Sequence, residues 1–251
     1  MNTIFNSKVF KGVSIAGKIV KGMVKNGVTF YEKKELPSNA ILDLPFQNNF
    51  TDYGKIGMTM VAGGTSNQPT FALSGRKSGE YCAVFNGSQS IKTTTNLPVN
   101  SDKVTIAFWM KTTQTTTGVI AELSSDYAQN SAFEIPLVDG KVGMYDHGIS
   151  PTGYNIAQTN AVNNNVWRSI IIVTDRSLGK NQSKIYINGI LGSVQHNSYV
   201  TDIIGNFINS IFFIGQRGGY RLGFIGSLSK FQIFNQIPTD TQAMEMYQND
   251  L

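Results

Sequence analysis

The sequence predicts an all-β protein, a two-sheet antiparallel sandwich preceded by a small β-hairpin module. Three observations lead there. Glycine supplies 25 of the 251 residues, and Asn, Ser and Thr recur throughout, the residue types of turns and pleated strands. Short apolar or alternating runs return at the close, regular spacing of a sandwich. Hydrophobic residues make up 41% and charged residues 15%, a balance that builds a core and excludes a disordered chain.

Residues 1–37 stand apart from the rest. Lys8, Lys11, Lys18, Lys21, Lys25, Lys33 and Lys34 are spaced singly among glycines and apolar residues. That is the pattern of polar positions alternating on short strands, where edge lysines also discourage stray pairing. Lys11-Gly12-Val13 is echoed by Lys21-Gly22-Met23, and Ala16-Gly17 and Asn26-Gly27 are turn signals between short Val/Ile-rich runs. Two or three strands are expected, ending at Leu36-Pro37. A hairpin alone is marginal in water, so the module is expected to need a partner surface and to serve as an attachment element.

From Ala40 onward, strands are predicted over 41–45, 81–86, 90–94, 105–112, 119–123, 133–138, 141–146, 167–174, 184–187, 211–214 and 226–234. Val104, Ile106, Phe108 and Met110 share one face of their strand, with Trp109 on the other, and Ile185 and Ile187 share a face before the Asn188-Gly189 turn. Thr239 caps a short helix over 240–248 with Ala243, Met244 and Tyr247 as its apolar stripe. Trp109 and Trp167 read as largely buried core aromatics. The single cysteine, Cys82, excludes an internal disulfide and reads as a small buried hydrophobe.

The net charge of +5 could suit a polyanion, but the lysines are dispersed, and no nucleic-acid partner is expected. No segment approaches the ~20 apolar residues of a membrane span. Residues 1–8 lack the apolar stretch of a signal peptide, so a product of the host cytoplasm that leaves by some other route is expected. Catalysis is not expected either. Glu32, Glu35, Glu80, Glu122, Glu134 and Glu245 each lack a second carboxylate two residues on, and Glu122 with Asp126 has the wrong spacing for one strand face. Retaining glycoside hydrolysis needs two carboxyls about 5 Å apart. The two histidines, His147 and His196, have no nucleophile-elbow partner.

Several segments together carry a family resemblance over about residues 40–251. Pro45-Phe46 through Asp52 opens it. Ala83-Val84-Phe85-Asn86-Gly87-Ser88, Thr105-Ile106-Ala107-Phe108-Trp109-Met110-Lys111, Trp167 with 170–175, and Lys184-Ile185-Tyr186-Ile187-Asn188-Gly189 follow. Phe213-Ile214-Gly215 and 224–234 close it. These motifs in order resemble the laminin-G-like domains of the concanavalin A-like lectin and glucanase superfamily. The resemblance implies a jelly-roll sandwich over 40–251. Calcium-binding members of that family place acids where this chain has Gln47, Ser229 and Lys230; only Asp52 remains, and a lysine opposes a calcium ion. No metal and no cofactor are expected.

Ligand-binding side chains are sought in three polar loops, 145–148 continuing through 154–155, 160–165 and 216–221, because loops carry function more often than strands. Asp146, His147, Tyr154, Arg217, Tyr220 and Arg221 are the candidates, since sugar recognition pairs an aromatic face with forked polar groups. Residues 20–31 are similar to openings of bacteriophage structural proteins. The expected role is therefore a non-catalytic virion structural protein, a fibre, tail-tip or head-decoration subunit. It would dock on other virion proteins through residues 1–37, act in many copies and bind a host-surface glycan. The alternatives are a bacterial surface or secreted carbohydrate-binding module and a divergent glycoside hydrolase.

Overall fold

The computed structural model describes residues 40–64, 67–124, 130–148, 154–178, 183–198 and 203–250, with the backbone alone of 154–157, 196–198 and four short strands before residue 40. The chain divides into two compact units, Met1–Glu35 and Leu36–Leu251. In the first unit, β1 (Ser14–Ile15) pairs with β2 (Lys18–Ile19), and β3 (Gly22–Lys25) pairs with β4 (Val28–Glu32). These two antiparallel hairpins flank Ala16-Gly17 and Asn26-Gly27. The echo in the sequence is thus a repeated hairpin, one strand more than expected.

The second unit begins with β5 (Leu42–Leu44), β6 (Met60–Ala62), β7 (Thr70–Leu73), β8 (Tyr81–Asn86), β9 (Ile91–Thr93) and β10 (Lys103–Lys111). It continues with β11 (Gly118–Leu123), β12 (Phe133–Val138), β13 (Lys141–His147), β14 (Tyr154–Ala161) and β15 (Arg168–Asp175). The last strands are β16 (Ser183–Ile187), β17 (Ile190–Leu191), β18 (Gln195–Ser198), β19 (Phe212–Ile214) and β20 (Ile225–Phe234), and helix α1 (Asp240–Gln248) follows them. The first sheet runs β17-β16-β15-β10-β20-β8-β7, with β5 also on β20; the second runs β18-β14-β13-β12-β11-β19-β9-β6. All of these ladders are antiparallel. The unit is a jelly-roll sandwich, nearly all β.

Strand alternation places the core between the sheets. Val104, Ile106, Phe108 and Met110 of β10 and Ile170 and Ile172 of β15 meet Leu123, Phe133, Ile135, Met144, Phe212 and Ile214 of the second sheet. One irregularity is needed to complete it. Between β10 and β20 the register slips by one residue around Phe108, and Lys230 there adopts φ 51°. This bulge re-phases β20, so that Leu228 before it and Phe231 and Ile233 after it all face inward. Phe231 then stacks on Phe108, with centroids 5.2 Å apart and planes at 10°.

The first sheet is buried on its other face too. Ala107, Ile171, Val173, Tyr186 and Phe234 form a second apolar cluster with Ala243 and Met246 of α1. Thr239 caps α1 through a reciprocal bond pair with Gln242, and Tyr186 donates from its hydroxyl to Asp240 over 2.6 Å. Burial and this bond to Asp240 together raise the pKa of Tyr186 far above the tyrosine range. The expected helix stripe is shifted: Ala243 and Met246 are buried, while Met244 and Tyr247 are half-buried. Cys82 is buried, which raises the pKa of its thiol.

The expectation for the tryptophans holds for one of them. Trp109 is 8% exposed. Trp167 is only half-buried, because it precedes β15; its Nε1 donates to the Ser74 carbonyl over 2.9 Å and Lys111 sits 5.4 Å from its ring. Trp109→Ala is therefore expected to cost about 3–5 kcal/mol, near the range for deleting a buried aromatic. Trp167→Ala should cost clearly less, and urea unfolding of the two variants measures the difference.

A buried cation joins the sheets. Arg176, at the end of β15, has no solvent exposure. Its Nε and Nη2 donate to Oδ1 of Asp146 on β13 over 3.1 and 2.6 Å. Nη2 also donates to the His147 carbonyl at 3.0 Å, and Nη1 to the Asn206 carbonyl at 3.1 Å. The guanidinium lies 3.6 Å from the centroid of Phe207. Removing one partner leaves the other charge buried and unpaired, so Arg176→Ala should lose about 3–5 kcal/mol. The double change Arg176→Met with Asp146→Leu should lose less than the single change, as read by thermal melting.

Candidate functional site

The outer face of the second sheet carries a polar row. Register pairs Lys92 with Phe213, Phe213 with Glu122, Glu122 with Glu134 and Glu134 with Tyr145, five residues on five adjacent strands. Their strand neighbours Ile91, Ile214, Leu123, Ile135 and Met144 point into the core, so the row faces away from it. Glu122 and Glu134 are directly opposite each other and fully buried. Like charges in that position repel, and the repulsion is offset by the turn above them.

That turn follows β19. Arg217 lays a two-pronged fork on Glu134, Nε to Oε2 at 2.7 Å and Nη2 to Oε1 at 2.8 Å, and the Gly218 amide donates to Glu122 Oε2 at 2.8 Å. The Arg217 and Arg221 backbones exchange bonds of 2.8 and 3.2 Å that close the loop. Gly219, at φ 79°, lies so close to Gly63, Gly64 and the Phe213 ring that a Cβ would stand about 3 Å from each. No other residue fits there without displacement. The stem is thus pinned onto the carboxylate pair. At the tip, Tyr220 is 56% exposed, Arg221 is exposed, and the guanidinium of Arg221 lies 5.0 Å from the Tyr220 centroid.

Of the six residues selected from the sequence, the five whose side chains are described do not converge on one site. Arg217, Tyr220 and Arg221 lie together on this turn, as stem and tip. Asp146 and His147 do not form a rim loop; β13 runs on through His147 and both are buried. The carboxylate of Asp146 is turned inward onto Arg176, out of reach of a ligand. The backbone of Tyr154 pairs with His147 in β14, and its side chain lies outside the described residues. The second polar loop is shorter than expected, since β14 extends to Ala161. Asn163 there donates to the Gln114 carbonyl at 3.1 Å.

Sequence reasoning missed the Glu122–Glu134 pair because it sought two carboxylates along one strand, whereas a hairpin supplies them across two. Each glutamate does occupy the lone charged slot in an apolar run, between Ala121 and Leu123 and between Phe133 and Ile135, which was the available signal.

The residues at the calcium positions of the resembled family do not suit that ion. The ammonium of Lys230 is bonded to Asp250, and Gln47 Oε1 accepts from the Tyr81 amide at 3.3 Å. Asp52 Oδ1 accepts from the amides of Asp43 and Gly54, each at 2.7 Å, and Oδ2 from Met58 at 2.6 Å. Asp52 shapes its own loop, and among the described residues no set of several anionic oxygens gathers around it. Among the described residues no cluster of three or more His, Cys, Asp or Glu side chains could hold a metal ion, and no helix is long and apolar enough to cross a membrane.

Comparison with known proteins agrees with this architecture. The receptor-binding domain of botulinum neurotoxin type G is similar over 85% of this chain and 52% of its own length, with TM-score 0.60 and 18% identity. That of the mosaic serotype C/D is similar over 86% of this chain and 52% of its own, with TM-score 0.63 and 14% identity. The chain spans about half the length of these toxin domains. Domain 4 of AbnA, an extracellular GH43 arabinanase from Geobacillus stearothermophilus solved with arabinotriose, is similar over 84% of this chain and 98% of that domain, with TM-score 0.60 and 19% identity. No curated protein is similar to the chain in sequence. A laminin-G-type family profile, described as the concanavalin A-like lectin/glucanases superfamily, matches residues 85–243. The chain belongs to that superfamily.

Proposed function

We propose that the protein is a non-catalytic carbohydrate-binding component of a virion, a fibre, tail-tip or head-decoration subunit whose sandwich engages a host-surface glycan. The observation that carries the binding reading is the pinned turn, with Tyr220 and Arg221 held at the tip by a stem bonded to Glu134 and Glu122. A ring face beside a forked donor is what sugar recognition uses. Because the stem is already fixed, little ordering is spent on binding. An arabinanase domain of the same fold, solved with arabinotriose, supports sugar as the ligand class.

The non-catalytic reading rests on the engagement of the facing carboxylates. Glu122 and Glu134 are buried and bonded to the turn, whereas hydrolysis needs one carboxyl as acid and a second free to act as nucleophile or as base toward a water. The virion reading rests on the first unit, whose lysine-rich hairpins suit docking on other virion proteins. A shallow tip binds each glycan weakly, and many copies on one particle make up for it.

On a glycan array, the wild-type chain is expected to bind a subset of sugars. Tyr220→Ala and Arg221→Ala should each weaken that binding about tenfold, roughly 1.4 kcal/mol, with unchanged melting. Release of reducing sugar by the wild type would overturn the non-catalytic reading, and binding untouched by both variants would overturn the site. Deleting residues 1–37 should leave the sandwich folded and abolish incorporation into particles, as read by cryo-electron microscopy or by immunoblot of purified virions. Incorporation of the truncated chain would refute the attachment role.

A further inference from the structure

The opposite side of the sandwich carries an unexplained pocket. At the C-terminal end of α1, against the outer face of the first sheet, Arg76, Lys77, Trp109, Tyr247, Gln248 and Asp250 line a shallow pocket of about 360 Å³. Three elements meet there. Trp109 comes from β10, Tyr247 and Gln248 from α1, and Arg76 and Lys77 from the loop between β7 and β8. The guanidinium of Arg76 lies 4.3 Å above the Trp109 ring, and the Tyr247 ring is 5.7 Å from it at 35°.

Two buried hydrogen-bond donors at this pocket have no acceptor among the described residues, Nε1 of Trp109 and Nε of Arg76. An unmet buried donor is costly, and two on neighbouring side chains at one pocket are unusual. Trp167 shows the ordinary arrangement, its Nε1 bonded to Ser74. Charge also favours an incoming acceptor. Arg76 pairs with Glu80 and Asp250, Lys77 with Asp250, and Lys230 with Asp250. Three cations thus converge on Asp250, with Glu80 beside Arg76 and Asp43 beside Lys230, and Lys77 is half-exposed. Desolvation lowers the pKa of both Arg76 and Lys230.

We propose that this pocket is a second ligand site, separate from the pinned turn, that takes a carboxylate-bearing sugar ring of the uronic-acid class. The carboxylate meets Lys77 and the unpaired N–H donors of Trp109 and Arg76, and the ring lies against Tyr247. A pocket of this volume is at the small end for ligand sites and suits one or two sugar rings.

The two tryptophans make a direct test possible, because these 251 residues give two indole N–H resonances. Trp167→Phe, at a half-buried position, identifies the signal of Trp109. Titration of ¹⁵N-labelled protein with D-glucuronate is expected to move the Trp109 indole N–H downfield and saturably, with Kd on the order of 1 mM, and to leave Trp167 in place. Lys77→Ala, on an exposed side chain, should weaken this about tenfold. D-glucose and acetate should fail to reproduce the shift. The proposal is overturned by an unmoved Trp109 signal, by equal affinity in the Lys77 variant, or by acetate binding as well as glucuronate, which would mark a bare anion contact. The pinned turn is untouched by any of these outcomes, since its test reads Tyr220 and Arg221.

Discussion

The sandwich depends on one buried ion pair, Arg176 with Asp146. The core between the two sheets is otherwise apolar, and apolar contacts specify burial more than alignment. Arg176 fixes where the end of β15 sits over β13, and its remaining donors tie the segment around Asn206 to the same point. Its fully buried guanidinium has an acceptor on each arm and an aromatic ring against its face. That is the condition under which a buried charge is tolerated. The sheet that this pair aligns is the one whose outer face carries the polar row.

A second constraint works with it. The bulge at Lys230 lets a single long strand, β20, serve two neighbours on one side, β8 along its first part and β5 along its second, while keeping Leu228, Phe231 and Ile233 on the core face. Without the extra residue, Lys230 and Gln232 would follow Leu228 inward. The same bulge sends the Lys230 ammonium to Asp250, at the edge of the pocket beside α1. A packing correction and the electrostatics of that pocket therefore share one residue.

Much of the fold was legible in the sequence, and the rest was hidden for identifiable reasons. Strands with clean alternation or buried runs, such as β8, β10, β12 and β20, were predicted to within one or two residues, and α1 with its Thr239 cap was predicted over its full length. Strands β6, β7, β14, β17 and β18 were missed. Strand β7 is an edge strand with mostly exposed side chains, so no periodicity betrays it. Strand β14 reads as a polar loop because Asn155, Gln158 and Asn160 interrupt any pattern, and it is a strand by virtue of its backbone ladders to β13 and β18. The candidate site was legible in its turn, where Gly218, Gly219, Tyr220 and Arg221 announce an exposed loop. The part beneath was not, because the partnership of Arg217 with Glu134 spans 83 residues. No local pattern encodes a contact of that range, and Arg176 with Asp146 escaped notice for the same reason.

The pinned turn divides its labour between neighbouring residues. Arg217, Gly218 and Gly219 are committed to what lies beneath them, while the side chains of Tyr220 and Arg221 are exposed and lie against each other. Change at the tip is thereby uncoupled from folding. Those two side chains can be exchanged while the stem, the carboxylate pair and the sheet stay as they are, so the loop behaves as an interchangeable bit in a fixed handle.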